Sequence, residues 1–244
     1  MNTAQTIRQA VAEVERLRAE SRSLPDIAAA VSLLKRFQAH RFAGTYADLL
    51  VSPIYGAATR FFLEELYGER DYAERDAQFA RIAGAVERMF PREVAATAEA
   101  LARLHALTES LDHALARAVP LAAADDASGY VRAWKVTGRR ADRERQLETL
   151  VAIGGEMTRL TRLPGLRLML KMMRAPAAAA GMTSLQRFLE TGFDTFAAVT
   201  RARGGAERFV ETIREREQRL LELLFEADDV ACETELLGIL GQAR

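Results

Sequence analysis

PIYGAATRFFLEELYGERDYAERDAQF, residues 53–79, holds Tyr55, Phe61, Phe62, Tyr67 and Tyr72, with Phe79 closing the stretch. Pro53 stands where a helix would open and Gly68 where it would stop. Asp71, followed three residues later by Glu74, has the pattern of a helix cap that begins the next one. Two apolar-faced helices joined by a four-residue hinge are what an antiparallel helical pair requires. This stretch is a packing unit, and it contains no constellation of residues that defines a reaction.

The same period continues on both sides. Upstream, Ile7, Val11, Val14 and Leu17 recur at spacings of four, three and three with charges between them, which predicts an amphipathic helix over 4–22. A second helix begins near Pro25, carries Ile27, Val31, Leu34 and Phe37/Gln38, and ends at Gly44; a short helical piece over Tyr46–Val51 leads into the central pair. Downstream of Asp71, the stripe Tyr72, Phe79, Ile82, Val86 and Met89 has Arg75 on its seam. Pro91 starts a long helix running through Val94, Leu101, Leu104, Leu111 and Leu115 to about Val119.

The small, acidic stretch 120–129 is the best place for a soft boundary. Beyond it, a short helix with Tyr130 and Trp134 stops at Gly138, and a further helix over 141–163 is interrupted by Gly154 and Gly155. A glycine pair costs such a helix about 1–2 kcal/mol against alanine, so a kink or a close helix contact is expected there. Helices over 166–174, 177–202, 206–226 and 230–240 complete the chain. No segment alternates with the period of a strand. The expectation is an all-α fold, an irregular bundle of about eight to ten helices forming one domain over 1–244.

Composition narrows the function. The 244 residues are 49% hydrophobic and 28% charged, enough to bury a core. Thirty-four basic residues balance 34 acidic ones, so the surplus of positive charge that nucleic acid demands is missing. Cys232 is the only cysteine, which leaves no internal disulfide and suits a reducing cytoplasm. The charged N-terminus lacks a secretory pattern, and no run of eighteen apolar residues is free of charge. A cytoplasmic protein without a transmembrane segment is expected.

Three clusters could carry chemistry. His105, Glu109 and His113 recur every fourth residue, the spacing at which a helix can present metal ligands. The phase of the helix turns His113 away from the leucine stripe, however, and His40 is the only other histidine, so a solvated or second-interface face competes with a metal site. Arg75 and Glu217 fall on buried phases, Glu217 between Ile213, Leu220 and Leu224. Buried charge must be paired, so they form either structural ion pairs or a polar pocket for an anionic or amphipathic ligand, lined around Arg75, His105, Glu109, Asp112 and Glu217. Residues 163–174 place Arg167, Lys171 and Arg174 on one stripe opposite leucines and methionines, compatible with a membrane-surface helix or with a core helix whose cations meet solvent. No phosphate loop, nucleotide fingerprint, zinc-protease pattern or nucleophile elbow occurs, so no catalytic residue and no cofactor is expected.

The blocks RFFLEELYG (60–68), RDAQFARI (75–82), LHALTESLD (104–112), APAAAAGMTSLQRFLETGFDTF (175–196) and REREQ (214–218) resemble an uncharacterised, mostly proteobacterial family of all-helical proteins. The resemblance implies a single helical unit in which Glu109 and Asp112 belong to the shared pattern, and it implies no activity. The leading expectation is a non-enzymatic protein acting through contacts with a protein partner or as a homo-oligomer. Behind it stand a binding module with an internal metal or small-ligand site and, more weakly, membrane-surface association through 163–174.

Overall fold

The computed structural model describes residues 2–65, 72–202 and 204–243. Thirteen α-helices and one 3-10 turn make up its regular structure, and no strand occurs among the described residues. In order these are α1 (Thr3–Ser23), α2 (Pro25–Thr45), α3 (Ala47–Leu50), α4 (Gly56–Glu65), α5 (Ala73–Met89), α6 (Arg92–Ala118), the 3-10 turn (Leu121–Ala123) and α7 (Ala127–Thr137). They continue with α8 (Arg140–Leu160), α9 (Leu166–Met172), α10 (Arg174–Ala179), α11 (Thr183–Arg201), α12 (Gly205–Glu226) and α13 (Asp229–Leu240). The all-helical class agrees with the sequence; the helix count is somewhat higher than eight to ten, and the piece the sequence did not separate is α10.

Several ends differ from their sequence reading. Helix α4 begins at Gly56 rather than Pro53. The Ser52 hydroxyl accepts from the backbone amides of Ile54 and Tyr55 at 3.2 Å, holding Pro53–Tyr55 as a turn before the helix. Tyr67, Gly68 and Asp71, the expected hinge and cap, lie outside the described residues. The helix expected over 177–202 begins only at Thr183. Pro176 is accepted in the first turn of α10, and Gly181, at φ +68°, turns the chain before α11 starts.

The buried face of α5 is more polar than its apolar stripe suggests: Tyr72 and Val86 are buried and Phe79 packs beside Ala83, as that stripe requires, but they share the face with polar groups. Met89 is exposed, while Asp76 and Gln78 are buried. Both polar groups have partners on other helices: Asp76 on α1 and α6, Gln78 at the start of α11. Satisfied polar groups can occupy an inner face that propensity assigns to leucine or methionine.

The buried apolar residues fall into four clusters. One gathers α2, α6, α7, α12 and α13 around Leu34, Leu115, Val131 and Leu224. A second centres on Tyr46, Phe196 and Phe209. A third joins Ile7 of α1 to Ala83 and Ala102, and a fourth joins Leu160 and Leu166 to Phe193. Helices α8 and α12 approach closely at Gly154, where a Cβ would lie 2.6 Å from Cγ2 of Val210. The tight contact expected from the glycine pair is thus made by Gly154; a Cβ on Gly155 would meet open space.

Candidate functional site: an internal cavity

A cavity of about 220 Å³ is bordered by members of three of these clusters, among them Trp134, Phe196 and Phe193. A single water needs only about 10–15 Å³, so the space is of ligand size. Two helices supply its long walls. On α6, Thr97, Leu101, Leu104, His105, Thr108 and Asp112 follow one another at helical spacing along a single stripe. On α8 the stripe is Arg143, Gln146, Leu147, Leu150, Ile153 and Met157. At 1.5 Å per residue each stripe is about 21–23 Å long. Leu101, Leu104, Leu150 and Ile153 sit on core phases yet remain half-buried, because they face this space instead of a packed neighbour.

The two stripes run in opposite directions with matching polarity. Thr108 and Asp112, toward the C-terminus of α6, lie beside Arg143 and Gln146 at the start of α8, where the Gln146 amide donates to the Thr108 hydroxyl at 2.7 Å. Away from that end the wall is aromatic: Phe61 of α4 stacks on Phe188 of α11 with centroids 5.6 Å apart. Gly192 admits this arrangement, since a Cβ there would lie 2.9 Å from Cζ of Phe61. The cavity is apolar along its length and polar at one end.

At the polar end, Arg41 donates to Glu217 Oε1 at 2.7 Å, and the Tyr46 hydroxyl donates to the same oxygen at 2.8 Å. Burial opposes the charge on Arg41, but Glu217, Tyr130 and Tyr46 outweigh it and hold the guanidinium above its ordinary value. Arg143 lies 4.2 Å over the Trp134 ring and donates to Gln146 at 3.2 Å. Gln38 donates to Asp112 at 3.1 Å. Burial pushes the Asp112 carboxyl up, against the pull of Lys35 and Arg143. Two buried donors here, Arg41 Nε and Trp134 Nε1, have no hydrogen-bond partner among the described residues.

The residues singled out from sequence divide among several places. His105, Asp112 and Glu217 line the cavity; Arg75, Glu109 and His113 do not. The Arg75 guanidinium sits 4.1 Å from the Tyr72 ring and 4.4 Å from the Phe188 ring, and donates to the Glu65 carbonyl at 3.0 Å. Burial pulls it below its ordinary value, with Asp76, Tyr72 and Glu65 acting the other way. The His105, Glu109 and His113 side chains turn to separate partners. His105 Nε2 is 2.9 Å from Asp76, Glu109 takes Lys35 at 2.6 Å, and His113 Nδ1 is 3.1 Å from the Ser21 hydroxyl. His113 is buried against α1 rather than solvated. Among the described residues no group of three or more His, Cys, Asp or Glu is placed to hold a metal ion.

In the segment 163–174 the cations Arg167, Lys171 and Arg174 meet solvent and Leu166 is buried, with Met169 and Leu170 packed beside it, as in a core helix with a cationic outer stripe; only part of the apolar arc is left open. Arg167 pairs with Asp194 at 2.7 Å and Arg174 pairs with Glu190, both on α11, while Leu168 and Met172 are 62% and 63% exposed. Arg41, Arg143 and Trp134, which build the polar end, were not among the residues marked by sequence reasoning. Phase could have found the arginines: Arg41 follows Phe37 by four, and Arg143 precedes Leu147 by four.

Fold and site together define an all-helical protein with a largely apolar pocket between its helices, and no described helix is long and apolar enough to cross a membrane. The chain belongs to the family described as Domain of unknown function (DUF8198), whose model matches residues 17–231. No curated protein and no solved structure matches it.

Proposed function

We propose that the chain is one helical domain that works as a binding module, enclosing a single small, largely apolar molecule. The observation that carries this reading is the cavity itself, with a largely apolar lining and a polar group of side chains at one end. The family match runs across residues 120–129, and Ala124 and Ala127 from that stretch are buried in the same cluster as Leu34 and Leu224. Both facts support one domain. An internal ligand is better supported than action through surface contacts alone, since the large exposed apolar side chains are spread over many elements, from Val51 to Val136 and Val230.

Native mass spectrometry of the purified protein with laurate added is the test. A one-to-one adduct together with a raised melting temperature supports the reading. Absence of both contradicts it.

A second reading concerns the surface. Exposed Leu168 and Met172, flanked by Lys171, favour contact of α9 with an anionic bilayer, which would give an apolar ligand a short route to the protein. Flotation with anionic liposomes checks this: the protein should rise with them and a Leu168→Glu/Met172→Glu variant should not, whereas an unmutated protein that stays at the bottom ends the idea.

A further inference from the structure

The head of the ligand can be read from the polar end, given the binding reading above. Four atoms there make no hydrogen bond among the described residues and stay open, unlike the closed-off Arg41 Nε and Trp134 Nε1. They are Arg41 Nη2, the Tyr130 hydroxyl, Glu217 Oε2 and Asp112 Oδ2. The companion oxygens are engaged: Glu217 Oε1 accepts from Arg41 Nη1 and Tyr46, and Asp112 Oδ1 accepts from Gln38. All four residues line the cavity, and Arg41, Tyr130 and Asp112 are only 6%, 3% and 3% exposed, so the little surface they keep faces that space. Native interiors meet such atoms with protein, water or ligand. The Tyr130 hydroxyl is held in place through its ring, which stacks on Phe37 at 4.6 Å and lies 5.7 Å from Trp134. Burial pushes that hydroxyl up, so it keeps its proton and can both donate and accept.

The four atoms call for a head that does both. A guanidinium nitrogen only donates, a carboxylate oxygen only accepts, and the phenol does either. An ether can only accept and an ammonium can only donate, whereas a hydroxyl answers either kind of partner. Charge points the same way. Arg41 is answered by Glu217 at 2.7 Å and Lys35 by Glu109 at 2.6 Å, while Arg143 and Asp112 attract each other. An anionic head would meet Glu217 Oε2 and Asp112 Oδ2, and a cationic head would meet Arg41 and Arg143. An uncharged head avoids both costs.

We infer that the cavity takes an apolar molecule with one uncharged head that carries an O–H, either an alcohol or a carboxylic acid that keeps its proton. The head lies at Tyr130, Glu217 and Asp112, and the apolar part lies against Leu101 and Leu104 of α6 and Leu150 and Ile153 of α8.

Calorimetric titration of the full chain with dodecanol, dodecyl methyl ether, dodecylammonium and laurate tests this. Dodecanol should bind at least about tenfold more tightly than the ether or the ammonium. Carboxylic acids titrate at about 4–5, so laurate must take up a proton, and between about pH 6 and about pH 8 its affinity relative to dodecanol should fall about tenfold per pH unit. The alcohol is the reference because any titration of the protein's own groups acts on both compounds; the fall also separates the acid from the alcohol as a source of the head. Tyr130→Phe keeps the ring against Phe37 and Trp134, and it should cut the preference for dodecanol over the ether several-fold with ether affinity unchanged. Equal affinity for dodecanol and the ether would mean that water meets the four atoms; it would overturn the head assignment and leave the cavity reading standing. Laurate affinity that holds level with dodecanol across this pH range would do the same, since the head would then be an anion. An unchanged preference in Tyr130→Phe would overturn the placement of the head at Tyr130. Binding by none of the four compounds would overturn both readings.

Discussion

The Gln78 side chain caps a helix that begins more than a hundred residues later: its Oε1 accepts from the backbone N–H of Leu185, 107 positions on, at 2.9 Å. The same side chain donates to the Gly181 carbonyl at 3.1 Å, so one residue of α5 fastens both sides of the turn into α11. Helix α11 has no side-chain cap of its own. Because α11 supplies Phe188, Leu189 and Phe193 to the cavity wall, this bond also sets where that wall stands.

Gln78→Ala should therefore behave as loss of a buried cap. Urea denaturation should show a loss of about 1–2 kcal/mol. Hydrogen exchange should accelerate in the first turn of α11 more than in α12. A change within about 0.5 kcal/mol would mean that the cap is replaced by water without cost.

The two adjacent glycines of α8 make a matched pair. Gly154→Ala puts a methyl 2.6 Å from Val210 Cγ2 and should destabilise by about 1–3 kcal/mol, despite the better helix propensity of alanine. Gly155→Ala meets nothing and should stabilise by about 0.5–1 kcal/mol. Thermal melts of both variants decide the matter, and equal shifts would contradict the close approach of α8 and α12.

Asp112 gives a pH dependence with a definite sign. Its folded pKa lies above the unfolded value because burial penalises the charge, so the folded protein binds the proton more strongly. This group's contribution to stability is fully present below the unfolded pKa and is lost as pH rises through the folded one. Asp112→Asn keeps an oxygen for Gln38 and cannot ionise. Melting temperatures should be close to the unmutated protein at low pH and higher at neutral pH. A variant less stable at neutral pH would mean that attraction to Lys35 and Arg143 dominates over burial.

Ile153→Phe should occupy part of the space between α6 and α8. A filled cavity raises the stability of the unliganded protein, while a lost ligand volume lowers affinity, so the two effects separate. The melting temperature without ligand should rise, and laurate binding should weaken at least about tenfold. A lower melting temperature would indicate that the wall at Ile153 is already packed.

The sequence made the helices legible wherever a three-four stripe met leucine, valine or phenylalanine, as in α1, α2 and α12. It was misleading where polar groups replace apolar ones on an inner face, as Asp76 and Gln78 do on α5, because their partners lie on α1, α6 and α11 and spacing cannot display them. Of the site, Glu217 could be read as a buried polar position, and Asp112 only as a possible pocket residue on the flank of the leucine stripe. The cavity could not, since Leu101 and Leu104 on α6 look the same from the letters whether they pack or face an empty space. Arg41 and Arg143 were visible by phase, and Trp134 stood out only as one of two aromatics on a short helix.

The emission of Trp134, the single tryptophan of the chain, tests the central claim most directly. Because Trp134 is part of the cavity lining, a brominated long-chain carboxylate should quench that emission at equimolar ratio, and unlabelled laurate should restore it by competition. Undiminished emission under conditions where the carboxylate is shown to bind would place the ligand elsewhere and contradict the cavity as the binding site.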